Sequence, residues 1–276
     1  MFKKTLIPVA YGERPGELGR IGKFLEDLGS RSICLFHVDE PASLFRGADP
    51  SWLTRLAGAL GETGLAVEVR RGDGHIASAI AEAALLEEVD GIFMKTKRRW
   101  HIETVLLGSV SRNLLRLSDV PVFIQKARPR LSSDGNEPGR EDMKILYATD
   151  LDEASTRLLP YMMGFQGAWC HILHVRGRRA DPAAERQRGK VVDEEMHRTA
   201  EDLRPYFDRV TTEQRIGNPA TQVLHVSEQI GADVIALGRR RRAFFSAPLG
   251  ATAERIVTGS KASIFLVPHP GGPRDP

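Results

Sequence analysis

Cysteine is scarce in this sequence, long apolar runs are missing and net charge is close to zero; each scarcity narrows what the chain can be. Only two cysteines, Cys34 and Cys170, stand in 276 residues, both inside apolar strand-like runs and neither in a C-x-x-C pair. That excludes a disulfide framework, fits a reducing compartment and predicts two buried, inert thiols. The opening MFKKTLIPVAYGERPG holds an apolar run shorter than a signal-peptide core, and no later run approaches a membrane span, so a cytoplasmic protein with no membrane partner is expected. The formal net charge of +3 is too small over this length to argue by itself for nucleic acid. Nor is there a G-x-S-x-G, a GK[ST] loop or an H-E-x-x-H. No nucleophile with its base can be named, and no enzyme is expected.

What is present is one stretch written twice. Asp90 to Lys126 reads DGIFMKTKRRWHIETVLLGSVSRNLLRLSDVPVFIQK, and Asp233 to Pro268 reads DVIALGRRRRAFFSAPLGATAERIVTGSKASIFLVP. Each begins with an acidic residue and a short apolar run, passes through a basic loop, reaches a small pair (Gly108-Ser109; Gly250-Ala251), and continues as a helix into a second apolar run. That order predicts strand, loop, helix, strand. Small residues at a helix start leave backbone N–H groups open to an anion, which makes this the first place to look for a ligand.

The rest of the chain alternates in the same way. Lys4–Ala10 reads as a strand, Glu17–Leu28 as a helix stopped by Gly29, Ser32–Val38 as a strand buried on both faces, Ser51–Leu60 as a helix, Ala66–Arg70 as an outer strand and Ile76–Leu86 as an alanine-rich helix. Alternation at this spacing implies a parallel sheet covered by helices on both faces. Residues 127–142 hold prolines, glycines, serines and charges without apolar periodicity and read as a linker. The pattern then restarts: Lys144–Thr149 mirrors the first strand, Glu153–Met163 the first helix and Trp169–Val175 the second strand. His37-Val38 returns as His174-Val175, and Gly108 returns as Gly250. Such a restart marks an internal duplication, with domains at 1–126 and 143–276.

Taken in order, KILYATDLDEAS (Lys144–Ser155), HILHV (His171–Val175), GNPATQVL (Gly217–Leu224), ADVIALG (Ala232–Gly238) and the closing ASIFLVP resemble the universal stress protein family in its tandem form, over nearly the whole chain. The resemblance implies an α/β fold of two tandem open, parallel, five-stranded sheets, Rossmann-like and of the adenine nucleotide alpha hydrolase kind. It also implies ATP or another adenine nucleotide as ligand, with Mg²⁺ only beside a triphosphate. In the family a G-x-x-G, nine residues and G-[ST] hold the phosphates, and an Asp ending the first strand lies near adenine and ribose.

This sequence departs from that pattern in both halves. Lys95 and Arg98 stand where the first half should have its two motif glycines, and Ala10 stands where the second half has Asp150. In the second half Gly238 is kept, Arg241 replaces the second glycine, and Gly250 is followed by Ala251 and Thr252. Glycine in such a loop permits close approach to phosphate, whereas Lys or Arg supplies a cation instead. The resemblance therefore carries site roles to Ala148, Thr149, Asp150, Val175, Gly238, Arg239, Arg241, Gly250, Ala251 and Thr252 in the second half. In the first half it carries them to Val38, Gly108, Ser109, Val110 and Ser111.

Several readings stay open at this point. Lys95, Lys97, Arg98, Arg99, Arg176, Arg178, Arg179 and Arg239–Arg242 would converge on one rim at the strands' carboxyl ends. They read as a solvated surface, as the seat of a phosphate-bearing small ligand, or as a contact for an acidic protein or nucleic acid. Trp100, Phe244 and Phe245 beside them suit a hydrophobic anchor better than base stacking. His37 and His174 read as structural, Asp152 and Glu153 as helix-start residues, and Asp150 equally as ligand contact or turn former. The reading adopted is a non-enzymatic stress-response protein with degenerate adenine-nucleotide sites, the better one in the second half, whose halves pair through their last strands as a pseudo-dimer. A homodimer is an open alternative, and nucleic acid is not expected. The alternatives are a ligand-free scaffold acting through the basic rim and a slow ATPase or self-phosphorylating protein.

Overall fold

The structure, a computed structural model, describes residues 2–39, 51–96, 108–126, 143–152, 157–165, 169–177, 182–239 and 249–268. They fall into two compact units, the first running to Ile124 and the second beginning at Gln125.

In the first unit β1 (Lys4–Val9), α1 (Pro15–Asp27), β2 (Ser32–Asp39), α2 (Ser51–Gly61), β3 (Ala66–Asp73), α3 (Ile76–Leu86), β4 (Gly91–Lys95), α4 (Ser109–Leu117) and β5 (Val122–Gln125) follow one another. The strands lie in the order β3-β2-β1-β4-β5. β1 runs parallel to β2 and to β4, and β2 parallel to β3. β1, β2 and β4 are nearly continuous apolar runs because helices cover both of their faces; β3, at the margin, is mostly exposed and carries the charges. It extends three residues past the predicted Arg70. α1 opens on Pro15, whose missing N–H costs nothing at a first turn. It closes on Gly29 at φ 89°, where the N–H groups of Gly29 and Ser30 return to the Glu26 and Leu25 carbonyls. The stacked rings of Phe93 and Phe123, 5.2 Å apart, with Phe24 tilted against both, fill the core beneath.

The second unit repeats the plan with β6 (Lys144–Thr149), α5 (Leu159–Met162), β7 (Trp169–Arg176), α6 (Pro182–Leu203), β8 (Arg209–Ile216), α7 (Pro219–Ile230), β9 (Val234–Arg239), α8 (Ala251–Gly259) and β10 (Ser263–Pro268). Its order is β10-β9-β6-β7-β8, and every neighbouring pair is parallel. The acidic residue that opens each copy of the repeated stretch has a structural job. Asp90 accepts from the Lys4 N–H and Asp233 from the Lys144 N–H, at 2.8 and 2.9 Å, tying the two central strands at their amino ends. α7 is capped by Asn218, which accepts from the Thr221 N–H, and ends on Gly231 at φ 63°.

One predicted element is corrected. The helix expected over Glu153–Met163 is described only as Leu159–Met162; Pro160 cannot donate to the preceding turn, so it starts a helix here rather than continuing one. Residues 153–156 lie outside the described residues. Between β7 and β8, where the first unit has α2, lies the 22-residue α6, whose Val192, Met196, Ala200 and Leu203 are buried at helical spacing. A buried lysine also belongs to this unit. Lys126, 4% exposed, donates to the carbonyls of Val257 and Ser260 at the end of α8, and burial pulls its ammonium down to about 8. Both cysteines are buried, and burial pushes the Cys34 thiol up to about 11 and raises that of Cys170 further, so both are inert as expected. Among the described residues no helix is long and apolar enough to cross a membrane.

Candidate functional site

Parallel strands align their carboxyl ends, and in open α/β sheets that edge is where ligands bind. In the second unit the edge collects most of the residues singled out from the sequence. Ala148 and Thr149 end β6, with Ala148 beside Leu237 of β9, so Asp150 emerges next to Gly238 and Arg239. Asp150 is exposed, and its carboxylate accepts from the Asp152 N–H at 3.3 Å while the Thr149 hydroxyl accepts from the Leu151 N–H at 3.0 Å. Both bonds hold a tight turn in which Leu151 takes a left-handed φ of 62°. Asp150 therefore does form a turn while remaining exposed.

The start of α8 completes the edge. Gly250 has φ 94° and ψ 134°, a conformation L side chains rarely adopt, and among the described residues beyond its chain neighbours none comes within 4 Å of where a Cβ would be. Backbone geometry alone thus selects glycine here. Ala251 and Thr252 follow as exposed residues, and the N-cap Gly250 supplies no side-chain cap, so the first N–H groups of α8 lack that partner, as at any helix start open to an anion. Val175 is half-buried at the end of β7. Arg241 lies outside the described residues.

The same edge of the first unit is built differently. Val38 is buried, Gly108 and Ser109 are exposed, Val110 is half-buried and Ser111 is buried. Gly108 has an ordinary extended backbone with φ −64°, unlike Gly250. Ala10 stands where the second unit has Asp150, and the ring of Tyr11 next to it packs edge-on against Trp52, which in turn meets the His37 imidazole at 5.1 Å. Lys95, in the place of a motif glycine, turns back to α1 and its approach, pairing with Glu13 and with Glu17 at 3.0 Å.

Three corrections concern the cationic rim. Arg176 does not join it: its guanidinium pairs with Glu185 and donates to Gln214 at 3.0 Å, lying against α6 where Gly189 leaves room. Lys95 is likewise neutralised internally, and Arg239 is 5% exposed. Residues 97–100, 178–179, 240–242 and 244–245 lie outside the described residues.

Both histidines tie strands together. His37 Nδ1 meets the Val9 carbonyl and His174 Nδ1 the Thr149 carbonyl, each at 3.0 Å, so the recurring His-Val clamps β2 to β1 and β7 to β6. Burial lowers the His174 pKa below the ordinary histidine range and keeps the ring neutral. Sequence reading missed one polar chain. Trp169 Nε1 donates to the Thr211 hydroxyl, which meets His171 Nδ1 at 2.8 Å; His171 Nε2 meets Glu213 at 3.1 Å, and Arg215 holds Glu213. The register that sets His171 opposite Thr211 creates it, and no local spacing announces it.

Comparison with known proteins fits this architecture. Among curated proteins none is similar enough in sequence to count as a match. Solved structures do match over nearly the full length. A universal stress protein from Archaeoglobus fulgidus is 22% identical, with 96% of each chain covered and a TM-score of 0.67. One described as a putative universal stress protein, from Pseudomonas aeruginosa UCBPP-PA14, is 18% identical, with 97% of this chain and 93% of that chain covered and a TM-score of 0.72. A functionally unknown protein from Pseudomonas aeruginosa PAO1 is 17% identical, with 97% and 92% covered and a TM-score of 0.71. The universal stress protein family model matches twice, over residues 18–126 and 143–268, each match holding one copy of the repeated strand–loop–helix–strand stretch, and the chain therefore belongs to the universal stress protein family in its tandem form.

Proposed function

We propose that this protein is a non-enzymatic stress-response protein that holds one adenine nucleotide, weakly, at the carboxyl edge of its second half, and that the first half has given up that role. The observation behind this is the contrast between the two edges. Gly250 at φ 94° opens α8 with exposed Ala251 and Thr252, and Asp150 is exposed at the end of β6, whereas Lys95 in the first half is taken up by Glu13 and Glu17. Phosphate suits the helix-start N–H groups at Gly250–Thr252, ribose or adenine suits Asp150 with Val175 at the base, and Ala148, Thr149 and Gly238 stand at the ends of the two neighbouring strands β6 and β9. A triphosphate would bring Mg²⁺ with it. The adjoining Arg239 is buried rather than offered to the phosphate, which supports weak binding.

The basic-rim scaffold gains no support from Lys95 or Arg176, whose charges are used inside their own units. Calorimetric titration of stripped full-length protein with ATP, ADP and AMP tests the reading. One site per chain supports it; the absence of binding heat with all three contradicts it.

A further inference from the structure

The two halves contain the same histidine in the same strand position, and one difference between them is unexplained by packing. His37 lies opposite Val9 and His174 opposite Thr149, and each Nδ1 is 3.0 Å from that residue's carbonyl. A carbonyl only accepts, so Nδ1 bears the hydrogen in both rings and the neutral ring's Nε2 is an acceptor. In the first half Nε2 lies 3.5 Å from the Asp39 carboxylate, which Arg71 grips with two bonds and which, being an acceptor itself, pairs with Nε2 only when the ring is protonated; the Trp52 ring covers the imidazole. In the second half Arg176 stands in place of Asp39 and turns away to Glu185. His174 is 6% exposed, and its Nε2 meets no hydrogen-bond partner among the described residues. A buried ring nitrogen without a donor is unfavourable and calls for an explanation.

We propose that His174 Nε2 is an acceptor kept by the fold for an uncharged N–H or O–H donor on the nucleoside part of the ligand, making His174 a specificity-determining residue of the second-half site. This rests on the nucleotide reading of that half. The clamp to Thr149 sets the imidazole one residue from Asp150, on the edge where ribose and adenine are assigned. The charges facing the ring are Asp150 beyond β6, Arg176 on its own strand and Arg188 on α6; burial chiefly opposes protonation and the two arginines add to it, against the Thr149 bond and Asp150, so Nε2 stays an acceptor and a cationic donor is disfavoured. A ribose hydroxyl and the exocyclic amine of adenine share the required chemistry.

His174→Asn tests this, because the Asn side-chain N–H takes over the donation to Thr149 while the Nε2 acceptor is deleted. Full-length wild type, His174→Asn and His37→Asn are titrated with ATP, with 2′-deoxy- and 3′-deoxy-ATP, and with inosine triphosphate. In parallel, nitrogen NMR of the wild-type histidine rings follows Nε2 of His174. The expectation is about tenfold weaker ATP binding in His174→Asn, no change in His37→Asn, and a His174 Nε2 resonance that moves as ATP is added. One analogue should lose the same factor against wild type and nothing further against His174→Asn, which identifies the donor. ATP binding unchanged in His174→Asn, with an unmoved Nε2 resonance, overturns the proposal and leaves the nucleotide reading standing. Absence of binding by every nucleotide overturns both.

Discussion

The Lys95 ammonium lies 3.0 Å from the Glu17 carboxylate, and the same nitrogen also meets Glu13. A lysine in place of a motif glycine reads as a cation offered to phosphate, yet here it pins β4 to the start of α1. Two carboxylates accompany it, and at the end of the neighbouring β1 the Tyr11 ring packs edge-on against Trp52.

Lys95→Met is expected to cost about 1–3 kcal/mol in stability, since it strands two partly buried carboxylates, and to leave nucleotide affinity unchanged. Urea unfolding and a nucleotide titration of the variant check the two halves of this statement separately.

Gly250→Ala and Gly108→Ala make a matched pair, because among the described residues neither new Cβ would meet an atom beyond its chain neighbours. Only the backbone differs. At φ 94° the alanine is expected to cost about 1–3 kcal/mol and to weaken nucleotide binding; at φ −64° it should cost nothing measurable. Equal effects at the two positions would remove the backbone argument for Gly250.

The pH dependence of His174 has a definite sign. Its folded pKa lies below the ordinary 6.5, so as pH falls through 6.5 the unfolded chain takes up the proton first and stability drops, levelling off below the folded pKa. Comparing urea midpoints at neutral and mildly acidic pH, wild type should lose more than His174→Asn.

Lys126 acts at the alkaline end. With a folded pKa of about 8 against 10.5 when solvated, the unfolded chain holds a proton that the folded chain has released. Stability should therefore rise with pH across that window, by up to about 3 kcal/mol, and stay flat below it. Lys126→Met should lack the rise.

Much of the fold was legible because central parallel strands, buried on both faces, read as unbroken apolar runs, and because the chain writes them twice. The doubled acid of Asp90 and Asp233 was visible as a pattern before its bond to the first strand was known. Pro160 was the visible warning against a long first helix in the second half. Partnerships were not legible. Lys95 finds Glu13 across 82 residues, and Arg176 finds Glu185 only because Gly189 lets it lie on α6. The difference between the two histidines is written in the second residue beyond each, Asp39 against Arg176, and acquires meaning only once the strands are paired.

The most direct test of the central claim is nucleotide stoichiometry in full-length protein, measured by calorimetry alongside Asp150→Ala and Lys95→Met. One adenine nucleotide per chain, lost in Asp150→Ala and kept in Lys95→Met, is the predicted result. Two equivalent sites, or binding indifferent to Asp150→Ala, would contradict the assignment of the nucleotide to the second half.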